Sequence, residues 1–364
     1  MMVGRATEVR RADLAMMLAP RRFFTGRWLL SMLAIASSGS DLASAAADGS
    51  TVLALSRGVV KVEVVNDAGM FFVGTGTVVA NELVVTACHV TRSARRIDVL
   101  HGGLRRSAIA QRSDTEHDLC VLRVPGLDAQ AVLIGHSARL EVGQDVLAIG
   151  FTGGAGLAPA VGTIERLYPL DGGWVVQSDA AFSSGASGGG LFDDDGALVA
   201  ILLFRMRGPG PQFFAVPVEW LSIAIDGGRL FEPVAPLSGL PPFWQRPVEV
   251  LPFFMRANAM AAEQRWDDLY RLANQWHQVD THDPEALYVR GLCENRRAEN
   301  EAALASFLEA TVIDRRHARA WFELGLIYLR LGRVLEARSV IPALSAASRV
   351  LGHRLIDVMP ERPE

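Results

Sequence analysis

One segment divides this chain into two kinds of sequence. Residues 233–247 read PVAPLSGLPPFWQRP, and its five prolines fix φ and remove backbone donors, so the segment reads as a stiff connector rather than part of a helix. Upstream, from Thr51 to about Phe231, short apolar runs are punctuated by Gly, Asp and Pro: KVEVV, FFVGTGTVVA, ELVVTACHV, RRIDVL, DLCVLRV, QDVLAIG, GTIERLYPL, GWVVQSD, ALVAILLF and QFFAVPVEW. Each has the length and composition of a strand, and so many short strands favour a barrel or sandwich. Downstream the apolar positions recur every 3.6 residues, with aromatics, Leu and Ala on one face and Arg and Glu elsewhere, which predicts amphipathic helices. The expected architecture is multidomain: an all-β domain, then an all-α one.

The helical half also repeats. Leu287 aligns with Trp321, Gly291 with Gly325, Ala303 with Ala337 and Phe307 with Ile341, each pair 34 positions apart. A weaker register places Phe253, Ala257, Leu269 and Ala273 another 34 residues upstream. The unit with Trp321, Leu324, Gly325, Tyr328 and Gly332 resembles a tetratricopeptide repeat. Gly325 and Ala337 let two helices approach closely while larger side chains fill the space between them. About three such units would stack into a short solenoid with a concave surface. An ordinary helical bundle is the alternative.

With 364 residues, 50% of them hydrophobic, the chain can bury a sizeable core. Its net charge of -4, with Lys61 the only lysine, gives no sign of a nucleic-acid-binding domain. Residues 1–45 look like a targeting segment. Arg21, Arg22 and Arg27 precede the apolar run 28–36, and Ala43, Ser44 and Ala45 suit a signal peptidase cutting before Ala46. The stretch PRRFFTG also resembles a twin-arginine export signal. The apolar run is short for a bilayer span, so no stable span is expected after cleavage; an uncleaved anchor is the alternative. Export implies a periplasmic or secreted protein in a compartment where disulfides persist. Cys88, Cys120 and Cys293 form no CxxC pair or metal-ligand cluster, and no metal or other cofactor is expected.

The chemistry centres on SSGASGGGLFDDDG, residues 183–196. A serine among glycines is weak by itself, but Ser187 lies between strand-like VVQSD and ALVAILLF, flanks that a flexible spacer does not need. His89 in VVTACHV and Asp118 in EHDLCVLRV precede it, and the order His, Asp, Ser is that of the chymotrypsin-like triad. His117 is a decoy beside Asp118, and His101 and His136 lack comparable surroundings. Asp193, Asp194 and Asp195 with Gly196 read as a solvated hairpin turn, since calcium would need further oxygen ligands.

These segments carry a family resemblance. TACHV resembles the TAxH segment of trypsin-fold serine proteases, and HDLCVLRV the segment holding their catalytic aspartate. VQSDAAFSSGASGGGLFDDDGALVAI is similar to the nucleophile region of the bacterial HtrA or Deg group, and Gly74, Thr75 and Gly76 to its early glycine turn. The similarity covers about Gly58 to Leu221. It implies a double β-barrel, with Ser187 the nucleophile, His89 the general base and then acid, and Asp118 the carboxylate that orients the imidazole. It also implies that the N–H groups of Gly185 and Ser187 form the oxyanion hole, while Gly188 and Gly189 remove bulk where the turn approaches the histidine strand. Gly190 departs from the proline common there, a change expected to loosen the turn. Cys88 and Cys120 also depart from the usual small residues, on strands that must approach, so either a disulfide or two buried thiols would result.

The same resemblance puts Ala181 at the base of the primary pocket, with no charge for Lys or Arg. Leu202, Leu203, Phe204, Phe213 and Phe214 either wall that pocket or pack in the core, and small to medium aliphatic P1 residues are expected. HtrA-like enzymes commonly carry a PDZ domain where this chain has repeats. The expected divisions are a signal at 1–45, a protease domain at 46–232, a linker at 233–249, repeats at 250–352 and a tail at 353–364. The predicted activity is that of a serine endopeptidase acting on proteins or peptides through an acyl-enzyme, its repeat surface recruiting a partner or docking on the protease. The competing expectation is an inactive protease-like scaffold whose repeats bind protein partners.

Overall fold

A computed structural model describes residues 49–153, 156–206, 212–222 and 230–360. The targeting segment expected at 1–45 and the last four residues of the tail lie outside the described residues. After a short helix, α1 (Gly49–Ser56), the β half builds two sheets and carries one helical turn, α2 (Cys88–Thr91). The first contains β1 (Val59–Asn66), β2 (Phe71–Ala80), β3 (Leu83–Ala87), β4 (Ala94–His101), β5 (Leu104–Ser107), β6 (Ala110–Asp114) and β7 (Leu119–Arg123). The second contains β8 (Asp145–Thr152), β9 (Gly156–Leu170), β10 (Gly173–Ser178), β11 (Gly190–Phe192), β12 (Leu198–Met206) and β13 (Gln212–Pro217).

Six strands close the second sheet in the order β10-β13-β12-β11-β8-β9. The expectation of a double barrel needs correction for the first, which is an open half-barrel. Its order ends at β5 on one side and, on the other, at β14 (Glu232–Pro233), a strand paired with β6. Those two edge strands do not pair with each other, so the sheet does not close. The proline-rich connector thus begins by adding to the sheet.

Alternation along each strand produces separate cores. Val60, Val62, Ile97, Val99 and Leu122 fill the half-barrel. Val146, Ala148, Val176, Val199, Leu202 and Ala215 fill the closed barrel. Residues facing the other way, including Val85, Leu119, Ile149, Ile201 and Phe214, join a third core that continues into the helical region.

The helices are α3 (Phe253–Ala262), α4 (Trp266–Val279), α5 (Pro284–Arg296), α6 (Asn300–Ile313), α7 (Ala318–Arg330), α8 (Val334–Ala347) and α9 (Arg349–Asp357). Their boundaries carry the 34-residue period: α4, α6 and α8 begin at 266, 300 and 334, and α5 and α7 at 284 and 318. Gln264, Ala298 and Gly332, again 34 apart, take the left-handed conformation that turns one helix into the next. The last helix runs past residue 352, where the tail was expected to begin.

The helices pack on the closed barrel. Arg166 of β9 donates to Asn258 Oδ1 on α3, Asn258 Nδ2 donates to Tyr168 Oη at 2.8 Å, and the Tyr168 and Phe254 rings stack at 4.3 Å. Ser348 donates to the Val142 carbonyl at 2.6 Å. Next to this contact Glu285 of α5 is buried between Arg319 and His317. Burial pushes its carboxyl up, but the Arg319 guanidinium and the hydrogen bond from His317 outweigh that and hold it at about 2.

Candidate active site

His89 lies on a single helical turn, Cys88–Thr91, directly after β3. Asp118 precedes β7 with φ of 62°, a left-handed conformation that Asp tolerates better than most side chains. The bend returns its buried carboxylate to the end of β3. Oδ1 accepts the His89 backbone N–H at 2.7 Å, and Oδ2 lies 2.6 Å from His89 Nδ1. The Asp118 carbonyl accepts the Cys88 N–H at 3.0 Å. His89 is therefore held through both its main chain and its ring. Nδ1–H donating to the carboxylate leaves Nε2 as the acceptor nitrogen of the neutral imidazole. A disulfide joins Cys88 to Cys120, whose Cα atoms are 4.9 Å apart, and ties β3 to β7 beside the pair.

Ser187 sits in the turn between β10 and β11. Thr75 of β2 fixes that turn: its N–H donates to the Ser187 carbonyl at 2.9 Å and its hydroxyl to the Gly185 carbonyl at 2.7 Å. The Thr75 carbonyl in turn accepts the Thr86 hydroxyl at 2.6 Å, three residues before His89. Gly188, at φ of 91°, makes this closeness feasible, since a Cβ there would lie 2.1 Å from the Thr75 carbonyl oxygen and 2.6 Å from Thr86 Oγ1. The half-barrel and the closed barrel thus bring the Ser187 turn against the strand that leads into His89.

The hydroxyl itself points to neither member of the pair. Ser187 Oγ donates to the Leu203 carbonyl at 3.0 Å, and no Ser187–His89 hydrogen bond occurs among the described residues. Rotation about the Ser187 Cα–Cβ bond is the local change that redirects the hydroxyl. Gly185 has φ of 98°, and neither its N–H nor that of Ser187 donates a backbone hydrogen bond among the described residues.

The residues expected around the primary pocket are dispersed. Ala181 is exposed, and Leu202 belongs to the closed-barrel core. Leu203 and Phe204 face the third core, where Phe204 stacks on Phe214 at 4.9 Å, while Phe213 packs against Phe182 at 5.2 Å. Gly190 opens β11, and the Phe192 ring occupies the space a side chain there would need. Asp193 accepts the Ala197 N–H at 2.8 Å in the turn between β11 and β12. His101 bonds the Asp128 carbonyl, and His136 lies near Glu219.

Sequence reasoning missed one member of the site. Trp244, assigned to the connector, donates its indole N–H to Asp118 Oδ2 at 3.0 Å and meets the His89 ring edge-on at 5.4 Å. The signal was the adjacent pair Phe243 and Trp244, since a solvated spacer has no use for two large aromatic rings.

His117 turns away from this cluster. Its Nδ1 lies 2.7 Å from Asp114 and its Nε2 3.1 Å from Asp171, in the turn between β9 and β10, so it bridges the two sheets. Burial pulls the imidazole down, but the bonds to Asp114 and Asp171 outweigh it and leave the net shift upward. A folded-state value raised above the unfolded one stabilises fully below about pH 6.5, and that contribution is lost as pH rises through the folded value. His117→Asn should therefore lower the urea midpoint more near pH 6 than near pH 9; equal losses at both would remove the charge-based account.

The model of the trypsin-like peptidase domain matches residues 74–201. A probable periplasmic serine endoprotease, DegP-like, from Chlamydia muridarum is 32% identical over 163 residues, covering 42% of this chain and 33% of the relative. A DegP-like counterpart from Marinomonas sp. is 34% identical over 169 residues, covering 42% and 34%. The chain spans about a third of the length of these curated relatives. A crystal structure of a protease from M. tuberculosis in its active form is similar at a TM-score of 0.48 and 23% identity, over 54% of this chain and 92% of that one. The β half, with His89, Asp118 and Ser187 in the matched segment, contains a trypsin-like peptidase domain related to the HtrA/DegP group.

Proposed function

We propose that the chain is a serine endopeptidase that hydrolyses peptide bonds through an acyl-enzyme on Ser187. The observation that carries this reading is the double grip of Asp118 on His89, beside a serine turn fastened to the same sheet. His89 Nε2 takes the Ser187 proton as the hydroxyl attacks the carbonyl carbon, and Asp118 stabilises the resulting imidazolium. The N–H groups of Gly185 and Ser187 receive the negative charge that develops on the carbonyl oxygen. The imidazolium then protonates the leaving amine, the C–N bond breaks, and water activated by His89 releases the acid and restores the serine.

Ala181 offers no carboxylate to a basic side chain, which supports a preference for small to medium aliphatic P1 residues. A periplasmic or secreted setting fits the targeting segment at 1–45 and the Cys88–Cys120 disulfide. Among the described residues no helix is long and apolar enough to cross a membrane. We assign the helices to tetratricopeptide-like repeats on their 34-residue period. Asn258 of α3, Tyr288 of α5 and Arg319 of α7 border or bond the barrel, which favours docking as the role of that face and leaves the outer helices to a protein partner.

The second reading, an inactive scaffold, draws on the bond from Ser187 to the Leu203 carbonyl. Labelling of the full chain by a serine-reactive fluorophosphonate separates the two. Labelling that disappears in Ser187→Ala is the expected result; an unlabelled chain under several native conditions would favour the scaffold.

A further inference from the structure

Among the described residues the Asp118 carboxylate takes three donors, of which two come from His89. The third, the indole N–H of Trp244, arrives from a segment beyond the matched domain. Its approach is built from several directions. The Trp244 ring stacks on Phe204 at 4.9 Å with an interplanar angle of 11°, next to the residue whose carbonyl holds the Ser187 hydroxyl. The Phe243 N–H donates to the Glu116 carbonyl at 3.0 Å, and Arg246 pairs with the Glu116 carboxylate at 2.9 Å, two residues before Asp118. On the other flank the Leu237 N–H donates to the Arg92 carbonyl at 2.8 Å, and the Arg92 guanidinium returns to the Gly239 carbonyl at 2.7 Å, three residues after His89.

We propose that Trp244 is a positioning residue for the Asp118–His89 pair, so that the reactive site is completed by the segment leading out of the peptidase domain. This rests on the hydrolase reading for its kinetic consequence, though not for its structural one. Asp118 Oδ2 must face His89 Nδ1 both in the neutral ring and in the imidazolium that forms during reaction. The indole N–H on the same oxygen fixes the plane of the carboxylate through both states. The edge of the Trp244 ring against His89 limits how far the imidazole can swing. Trp244 touches neither the reacting bond nor the nucleophile, so its loss should appear in kcat rather than in substrate binding.

The test compares the full chain with Trp244→Phe, which keeps a ring over Phe204 and removes only the donor and the second ring. Two readouts are taken: the downfield proton resonance of the His89 Nδ1–H···Asp118 hydrogen bond, and steady-state cleavage of a short peptide library. The expected result is a displaced or broadened resonance and a fall in kcat of about ten-fold, with KM within about two-fold. An unmoved resonance with unchanged kcat, or a loss confined to KM, would overturn the proposal. If Trp244→Phe fails to fold, the benzothienyl isostere of tryptophan, which exchanges the N–H for sulfur at constant shape, replaces it under the same criteria. If the unaltered chain cleaves nothing and is not labelled at Ser187, the hydrolase reading fails alone. The resonance then decides Trp244: displacement upholds its role and constancy rejects it.

Discussion

The double replacement of Ser187 by Ala and Asp118 by Asn is expected to be no slower than Ser187→Ala alone. By itself Ser187→Ala should lower kcat by about 10⁶-fold, because no hydroxyl is left to attack. Asp118→Asn alone should lower it by about 10⁴-fold, since an amide nitrogen facing Nδ1 favours the wrong imidazole tautomer and leaves the imidazolium without its carboxylate. These losses do not multiply. Asp118 acts on the reaction only through His89, which it touches at 2.6 Å, and His89 acts by accepting the serine proton. With the hydroxyl gone, a well-held imidazole has no proton to take. Steady-state cleavage of one peptide by the two single variants and the double tests this directly. A double variant slower by a further factor near 10⁴ would mean that Asp118 serves the reaction by a route independent of Ser187, and the assigned roles would fail.

Features that depend on neighbours in sequence were legible, whereas most of those decided across the fold were not. The strand runs and the 34-residue helical period follow from side-chain alternation and local spacing, and the observed helix starts keep that spacing. Of the left-handed turns that share the period only Gly332 advertised itself, because Gln264 and Ala298 are ordinary helix formers that rarely take a positive φ. Whether the first sheet closes was invisible, since closure depends on pairing between β5 and β14, whose residues are far apart in the chain. The grip of Asp118 on His89 was accessible through residue order. The contribution of Trp244 was not, because the prolines around it say only that the segment is stiff and leave open what it leans against. Likewise Arg166 in β9 finds its acceptor on Asn258, from a separate helix, a pairing that no local pattern indicates.

A chain ended at Pro247 should lose most of its stability even though it keeps the whole triad and Trp244. The reason lies in the core shared by the two halves, in which Tyr168 and Phe214 of the barrel are fully or almost fully buried and Phe254 packs on both. Truncation returns these barrel rings, and apolar neighbours that face the helices, to water. At about 2 kcal/mol for each large side chain, the loss reaches about 5 kcal/mol, the size of a modest domain's total stability. Polar losses add to it, because Arg166, Tyr168 and Gln177 all surrender a partner on Asn258 within a buried network. The helices therefore act as a second wall of the peptidase core and are not separable in the way a flexibly tethered binding module would be. Thermal unfolding of the full chain should give one cooperative transition. The truncated chain should melt at least 10 °C lower, by the usual conversion of about 2–4 °C per kcal/mol for a domain of this size, and should bind a hydrophobic dye. A truncated chain that stays monomeric, melts unchanged and cleaves a short peptide at the full rate would show that the shared core contributes nothing to the stability of the site.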